Sequence, residues 1–233
     1  VGFLGKLNFN SIFSTRLSLS YGTIQGKDSR SGRSDLIARN LSFRSRITEL
    51  AVIGEVNILR FGKHRLNKAN KKHYVFSPYV FGGLALFNFN PEALYNGKWQ
   101  ELQPLGTEGQ NVKNSNVDPY NLTQISIPFG LGLKVMLEPN IIISYELGMR
   151  KTFTDYLDDV SGRNYYDEDE IRKTGGNIAA ELSYRGDELP GGAPKAAVDG
   201  VRGNTNNNDW YIMSTVGITY KLFRKHGRFT SKY

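Results

Sequence analysis

From Gln124 to Arg150 the chain alternates twice between apolar and polar positions. Ile125, Ile127, Phe129, Leu131, Leu133, Val135 and Leu137 occupy every second place, separated by Ser126, Pro128, Gly130, Gly132, Lys134 and Met136. After Glu138-Pro139-Asn140 the alternation resumes, with Ile141, Ile143, Tyr145, Leu147 and Met149 against Ser144, Glu146, Gly148 and Arg150. A period of two puts the two sets on opposite faces of a strand. One face is greasy, and the other carries small residues and isolated charges. The same period predicts strands over 1–10, 13–26, 42–60, 73–90, 123–137, 140–154 and 209–223. Several exceed the usual soluble strand of about 5–6 residues.

The connections alternate in length. Asn10–Ile12, 62–72 and 138–139 are short or moderate, whereas 27–41, 91–122 and 155–208 are long. Short and long connections therefore fall at opposite ends of one sheet, as periplasmic turns and extracellular loops do in an outer-membrane barrel. A lipocalin-like soluble barrel also alternates, but its polar face meets water and carries many long polar side chains. Here that face is mainly small: Ser18, Ser20, Gly22, Gly83, Ala85, Ser126, Gly130, Gly132, Ser144, Gly148, Thr215, Gly217 and Thr219. Small residues suit a narrow lumen. The charges among them, Arg16, Glu49, Glu55, Lys134, Glu146 and Arg150, include both signs, as an interior ion-pair network requires.

The fold class expected is all-β: a small transmembrane up-and-down antiparallel barrel. Residues 1–223 form the barrel with extracellular loops 27–41, 91–122 and 155–208, and 224–233 form a basic periplasmic tail. Leu131, Leu133, Val135, Ile141, Ile143, Tyr145 and Leu147 should face lipid. Arg16, Glu55, Lys134, Glu146 and Arg150 should form a lumenal charge network, with Glu55 joining Glu146 and Arg150 across neighbouring strands. Seven strands are odd, whereas bacterial single-chain barrels close with an even number. The expectation is eight strands, the first of them absent from this sequence.

Composition changes the picture little. The chain has 233 residues, enough for one domain or one closed barrel, and no cysteine for disulfides or thiolate metal sites. Mean hydropathy is −0.42, and no apolar run approaches the roughly 20 residues of a membrane helix. Thirteen tyrosines and thirteen phenylalanines against three methionines favour β structure.

A resemblance is carried by SPYVFGGLALFNFNPEA (77–93), ISIPFGLGLK (125–134), ELGMRKTFTDYLDDVSGRNYYD (146–167), AAELSYRGDE (179–188) and RGN with NDWY near 202–211. These stretches resemble the PorG-type outer-membrane barrels of the Bacteroidetes type IX secretion and gliding apparatus. The resemblance implies a small barrel associated with the periplasmic lipoprotein ring of that machine, with no catalysis. The partners it implies are a PorK/GldK-type ring lipoprotein and its ring partner.

Net charge is +8, but it is unevenly spread. The turn 62–73 holds Lys63, Arg65, Lys68, Lys71 and Lys72 without an acid, and the tail holds Arg224, Lys225, Arg228 and Lys232, also without one. Loop 155–208 has eleven acids and six bases, a net −5. The basic end is expected to dock an acidic periplasmic surface, with Phe229 and Tyr233 as apolar anchors. The plainer alternative is a fringe that pins the barrel to anionic headgroups. Nucleic acid is not an expected partner, because the two short basic segments have little aromatic interleaving, unlike a stacking platform.

In the long loop, Asp155, Asp158, Asp159, Asp167, Glu168, Asp169 and Glu170 offer oxygen ligands of the kind calcium takes. They lack alternating ligand spacing, so a solvated acidic loop is expected and no metal or cofactor. The run 175–186 predicts a short helix that helps fold the loop over the barrel mouth. Glu146 and Arg150 could line a proton or solute path, but structural filling of the lumen is the preferred reading. His64, His73 and His226 all lie in the basic turn or the tail, so no nucleophile and base are expected within reach of each other. The expected role is non-enzymatic, and a small porin-like or lipid-interacting barrel is the alternative.

Overall fold

The computed structural model describes residues 1–62, 74–113, 115–161, 164–192, 202–203 and 208–222. Eight antiparallel strands form one sheet: β1 (Gly2–Asn8), β2 (Phe13–Lys27), β3 (Ser42–Asn57), β4 (Phe76–Tyr95), β5 (Lys98–Glu101), β6 (Thr123–Glu138), β7 (Ile141–Thr152) and β8 (Trp210–Tyr220). The order is β1-β2-β3-β4-β6-β7-β8, each long strand beside its successor, and β5 pairs only with β4. The expected strands match within a few residues, except that β4 runs on to Tyr95 and turns back through β5. The eighth strand of the sheet is thus a short hairpin partner. The further strand expected before Val1 concerns residues outside this sequence. β1 and β8 form the two edges, and among the described residues neither has a second neighbour.

Alternation fixes the two faces. In β6 and β7 the side chains of Ser126, Lys134, Glu146, Arg150 and Thr152 are buried, while Leu131, Leu133, Tyr145 and Leu147 are exposed. Val135, Ile141 and Ile143 share that outer face and are partly covered. The register follows: Leu131 sits opposite Leu147 and Leu133 opposite Tyr145. On β2 to β4 the outer face continues through Leu17, Leu19, Leu50, Val52, Val80, Leu84 and Leu86, all exposed.

The sheet curls about the inner face. Lys6 on β1 and Tyr211 on β8, from opposite edges, both reach carboxylates on β3. The lumen-facing glycines give the inward aromatic rings room. A Cβ at Gly132 would meet Cε1 of Tyr79 at 2.6 Å, and one at Gly148 would meet Cζ of Phe81 at 2.8 Å.

The long connections fold over one end. They carry α1 (Ser34–Arg39) and α2 (Glu168–Ser183). Asp167 caps α2, its carboxylate accepting hydrogen bonds from the Asp169 and Glu170 amides at 2.9 and 3.1 Å. The helix kinks at Gly176, where φ is 80°, a left-handed value that glycine adopts without a Cβ penalty. Ile171, Ala179, Ala180 and Leu182 are buried against Leu105, Tyr166, Ala93 and Leu102, so the cap has its own small core. The helix is longer than the expected 175–186 and begins in the acidic run.

Candidate functional site

The charged lumen begins near the turn end of the sheet. Glu55, with a fully buried side chain, takes Lys6, Arg16 and Lys134, the last at 3.2 Å. Arg16 also forks onto Glu146 from across the lumen, with its second bond at 2.7 Å, and the Tyr79 hydroxyl donates to the same carboxylate. The Lys134 ammonium lies 4.4 Å from the Tyr79 ring centre, a cation–π contact. Three cations thus meet two carboxylates, each held inward by strand parity.

Arg150 is not part of this group, contrary to expectation. Four residues along a strand span about 13 Å, too far for Arg150 to join Glu146. It pairs instead with Glu49 through two bonds of 3.2 Å, and Tyr211 donates to Glu49 at 2.7 Å. An apolar layer of Ala51, Ile53, Phe81 and Ala85 fills the space at this level of the lumen. Lys6, Tyr79 and Tyr211 were not foreseen. Lys6 shares the inward parity of Gly2 and Leu4, which disguises it.

Above Glu49 the interior becomes aromatic. Ile47, Phe87, Phe89, Tyr120, Leu157 and Tyr211 form one buried cluster. Phe89 stacks on Tyr120 at 6.1 Å, and Tyr120 on Tyr156 at 4.4 Å, which carries packing from lumen to cap. The Tyr120 hydroxyl donates to Asp159 at 2.7 Å. Burial and the adjacent Asp159 raise the Tyr120 phenol well above its ordinary value.

Asp159 sits at the centre of a buried polar knot. Thr107 donates to it, and the Arg202 guanidinium lies 3.7 Å away. Arg202 also bonds Glu108 at 2.9 Å and donates to the Asp159 and Ser183 carbonyls. Glu108 in turn accepts from the Ser161 amide at 2.9 Å. Burial opposes the Arg202 charge, but Glu108 and Asp159 outweigh it and raise its pKa. Nearby, Arg39 clasps Asp28 with two bonds of 2.7 Å. Burial pushes the Asp159 and Asp209 carboxyls up to about 6. Burial and the charge of Asp209 push Asp158 to about 7.

The stretch 154–161 is therefore not the solvated loop expected from its acids. Leu157 belongs to the lumenal cluster, Asp159 is fully buried, and Ser161 is tied to Glu108. Asp167 and Glu168 to Glu170 serve the start of α2 instead. Among the described residues no cluster of acids or histidines is arranged to hold a metal ion. Lys63, Arg65, Lys68, Lys71, Lys72, Arg224, Lys225, Arg228, Phe229, Lys232 and Tyr233, the expected docking residues, all lie outside the described residues. What the site does chemically is hold each lumenal carboxylate in an ion pair, with one cation in excess among Lys6, Arg16 and Lys134. Each lumenal carboxylate is matched by a cation and a hydroxyl, which favours a rigid plug.

Residues 1–184 match a family described as Domain of unknown function (DUF6089), and the chain belongs to that family. No curated protein and no solved structure matches the chain.

Proposed function

We propose that this DUF6089 member is a bacterial outer-membrane barrel that serves as a non-enzymatic anchor in the type IX secretion and gliding machinery, docking a periplasmic ring lipoprotein at its basic end. The observation that carries the membrane part is the outer face of β8. Trp210, Ile212, Val216, Ile218 and Tyr220 all point outward and are exposed. Ten residues separate the two aromatics, about 33 Å along the strand and about 25 Å along the normal at the usual barrel tilt. That is the height of the apolar band in such barrels, with an aromatic residue at each boundary. An exposed apolar belt of this extent marks a membrane or protein interaction surface, and its height favours the membrane.

The filled interior favours an anchor over a porin-like role. Ion pairs and hydroxyls occupy its charged levels, aromatic side chains fill the level above, and the cap covers that end. The secretion-system reading rests on the family resemblance and on the acid-free basic segments 63–72 and 224–232, which suit an acidic partner surface.

The test is recovery of ring lipoproteins with the barrel from mild detergent. Removing residues after Arg224 and reversing charge at Lys68, Lys71 and Lys72 should leave a folded, heat-modifiable barrel but reduce recovery strongly. Unchanged recovery would leave headgroup anchoring as the better account of these residues. Steady ion conductance in planar bilayers would support the porin-like role instead.

A further inference from the structure

Just beyond the apolar belt, on the loop side, the outer faces of β2 and β3 become basic. Register fixes this. Leu50 faces outward opposite Leu86, then Thr48 opposite Tyr21, then Arg46 opposite Thr23, then Arg44 opposite Gln25. Two residues of strand advance about 5 Å along a membrane normal at the usual tilt. Arg46 therefore stands about 5 Å beyond the Tyr21 ring, and Arg44 about 10 Å beyond it. Tyrosines mark the interface of a membrane, so both arginines lie at the depth of the headgroups.

The cations are only partly neutralised. Arg44 and Arg46 share one carboxylate, Glu92, and Arg44 also lies 3.8 Å from the Trp99 ring centre. One positive charge of that trio is left over, and the side chain of Arg46 is 45% exposed. Beside them, Gln25, Gly26, Lys27 and Arg30 line a depression of about 290 Å³. Lys27 and Arg30 are both exposed. Glu101, opposite Glu92 on β5, is the other outward acid at this level of β3 to β5 and offsets the remaining charge of the arginine pair, so the excess positive charge of the rim is that of Lys27 and Arg30.

We propose that this rim, formed by Lys27, Arg30, Arg44 and Arg46 with Trp99 as a flat support, binds the phosphate of a phosphorylated glycolipid in the outer leaflet. Arginine presents a planar fork that matches phosphate oxygens. Glu92 holds the forks of Arg44 and Arg46 side by side at the headgroup level, and the neighbouring recess has room for a sugar phosphate. The adjacent apolar belt of Leu17, Leu19, Leu50 and Leu86 would take the acyl chains. The inference rests on the membrane-barrel reading but not on the secretion role.

The test uses the full chain in detergent micelles and native mass spectrometry, titrated with diphosphorylated lipid A and with its dephosphorylated form. The phosphorylated lipid should be retained at least tenfold more strongly. Lys27→Gln with Arg30→Gln should weaken retention roughly fivefold per neutralised cation, since a basic residue near an anionic surface contributes about that factor. Glu92→Gln keeps an acceptor between the two guanidiniums but removes the negative charge that competes with the phosphate, and should tighten retention. Equal retention of both lipids, or no change in either variant, overturns the proposal while leaving the barrel reading intact. A chain that stays dispersed without detergent and fails to insert in vesicles would instead overturn the barrel reading.

Discussion

Arg16 on β2 and Glu146 on β7 are joined by a two-bond ion pair although four strand-to-strand steps, β2 to β3, β4, β6 and β7, lie between them. In a flat sheet that path is about 19 Å. The pair is therefore a marker of curvature, and it can form only when the sheet wraps. Glu146→Gln should leave Arg16 partly unpaired in a buried site and cost about 3–5 kcal/mol. Arg16→Met combined with Glu146→Gln should cost less than the two single changes summed, because the second change removes a charge the first has stranded. Urea titration of refolding into vesicles measures this. Additive costs would mean that the two side chains do not meet in the folded sheet.

Leu133 and Lys134 are chain neighbours with opposite environments, the first 46% and the second 2% exposed. Leu133→Arg places a charge on the exposed outer face, and on the proposed membrane-barrel reading it should cost about 2–4 kcal/mol near the midplane. Lys134→Met should shift stability in a different way. It removes a cation from Glu55, which keeps Lys6 and Arg16, so the loss should be smaller than that of Glu55→Gln. Vesicle refolding of the three variants gives the order. If Leu133→Arg is neutral, the outer face does not meet hydrocarbon.

The faces of β6 and β7 were legible because each alternates cleanly between apolar and small or charged residues. The face of β4 was hidden. In YVFGGLALFNF both parities are apolar, and only Gly83 and Ala85 hint at the inward side, so the buried rings of Tyr79, Phe81, Phe87 and Phe89 were not foreseen. Individual inward charges could be read from parity, but their pairing could not, since Arg150 finds Glu49 across a distance of 101 residues. The cap was least legible. Arg202, Glu108 and Asp159 come from two long connections without periodicity, and acids in a polar segment look the same whether they are solvated or buried.

Gly132 and Tyr79 sit opposite each other on β6 and β4. The tyrosine ring lies where a β-carbon at 132 would project. Gly132→Ala should therefore cost about 1–3 kcal/mol through overpacking. In a Tyr79→Leu background the same change should cost much less, because the obstructing ring is gone. Thermal unfolding in detergent of the two singles and the double separates steric coupling from a general intolerance of alanine. Equal cost in both backgrounds would show that the backbone, not the ring, excludes the side chain.

The cap should tighten on mild acidification. Asp158, Asp159 and Asp209 have folded-state carboxyl values of about 7, 6 and 6, all above the ordinary aspartate range. A folded pKa above the unfolded one means that the folded state binds the proton more tightly, so stability rises as pH falls from about 7 towards about 4 and then levels off. Asp158 faces Asp209 as well as the cations Arg39 and Arg202, and neutralising it relieves burial and like-charge repulsion together. Amide hydrogen exchange across residues 153–161, corrected for the intrinsic rate, should show greater protection at pH 5 than at pH 8. Asp158→Asn should raise protection at pH 8 and flatten part of the pH dependence. The opposite slope, with protection lost on acidification, would mean that the Asp159–Arg202 attraction governs the cap and that burial of these acids is a minor cost.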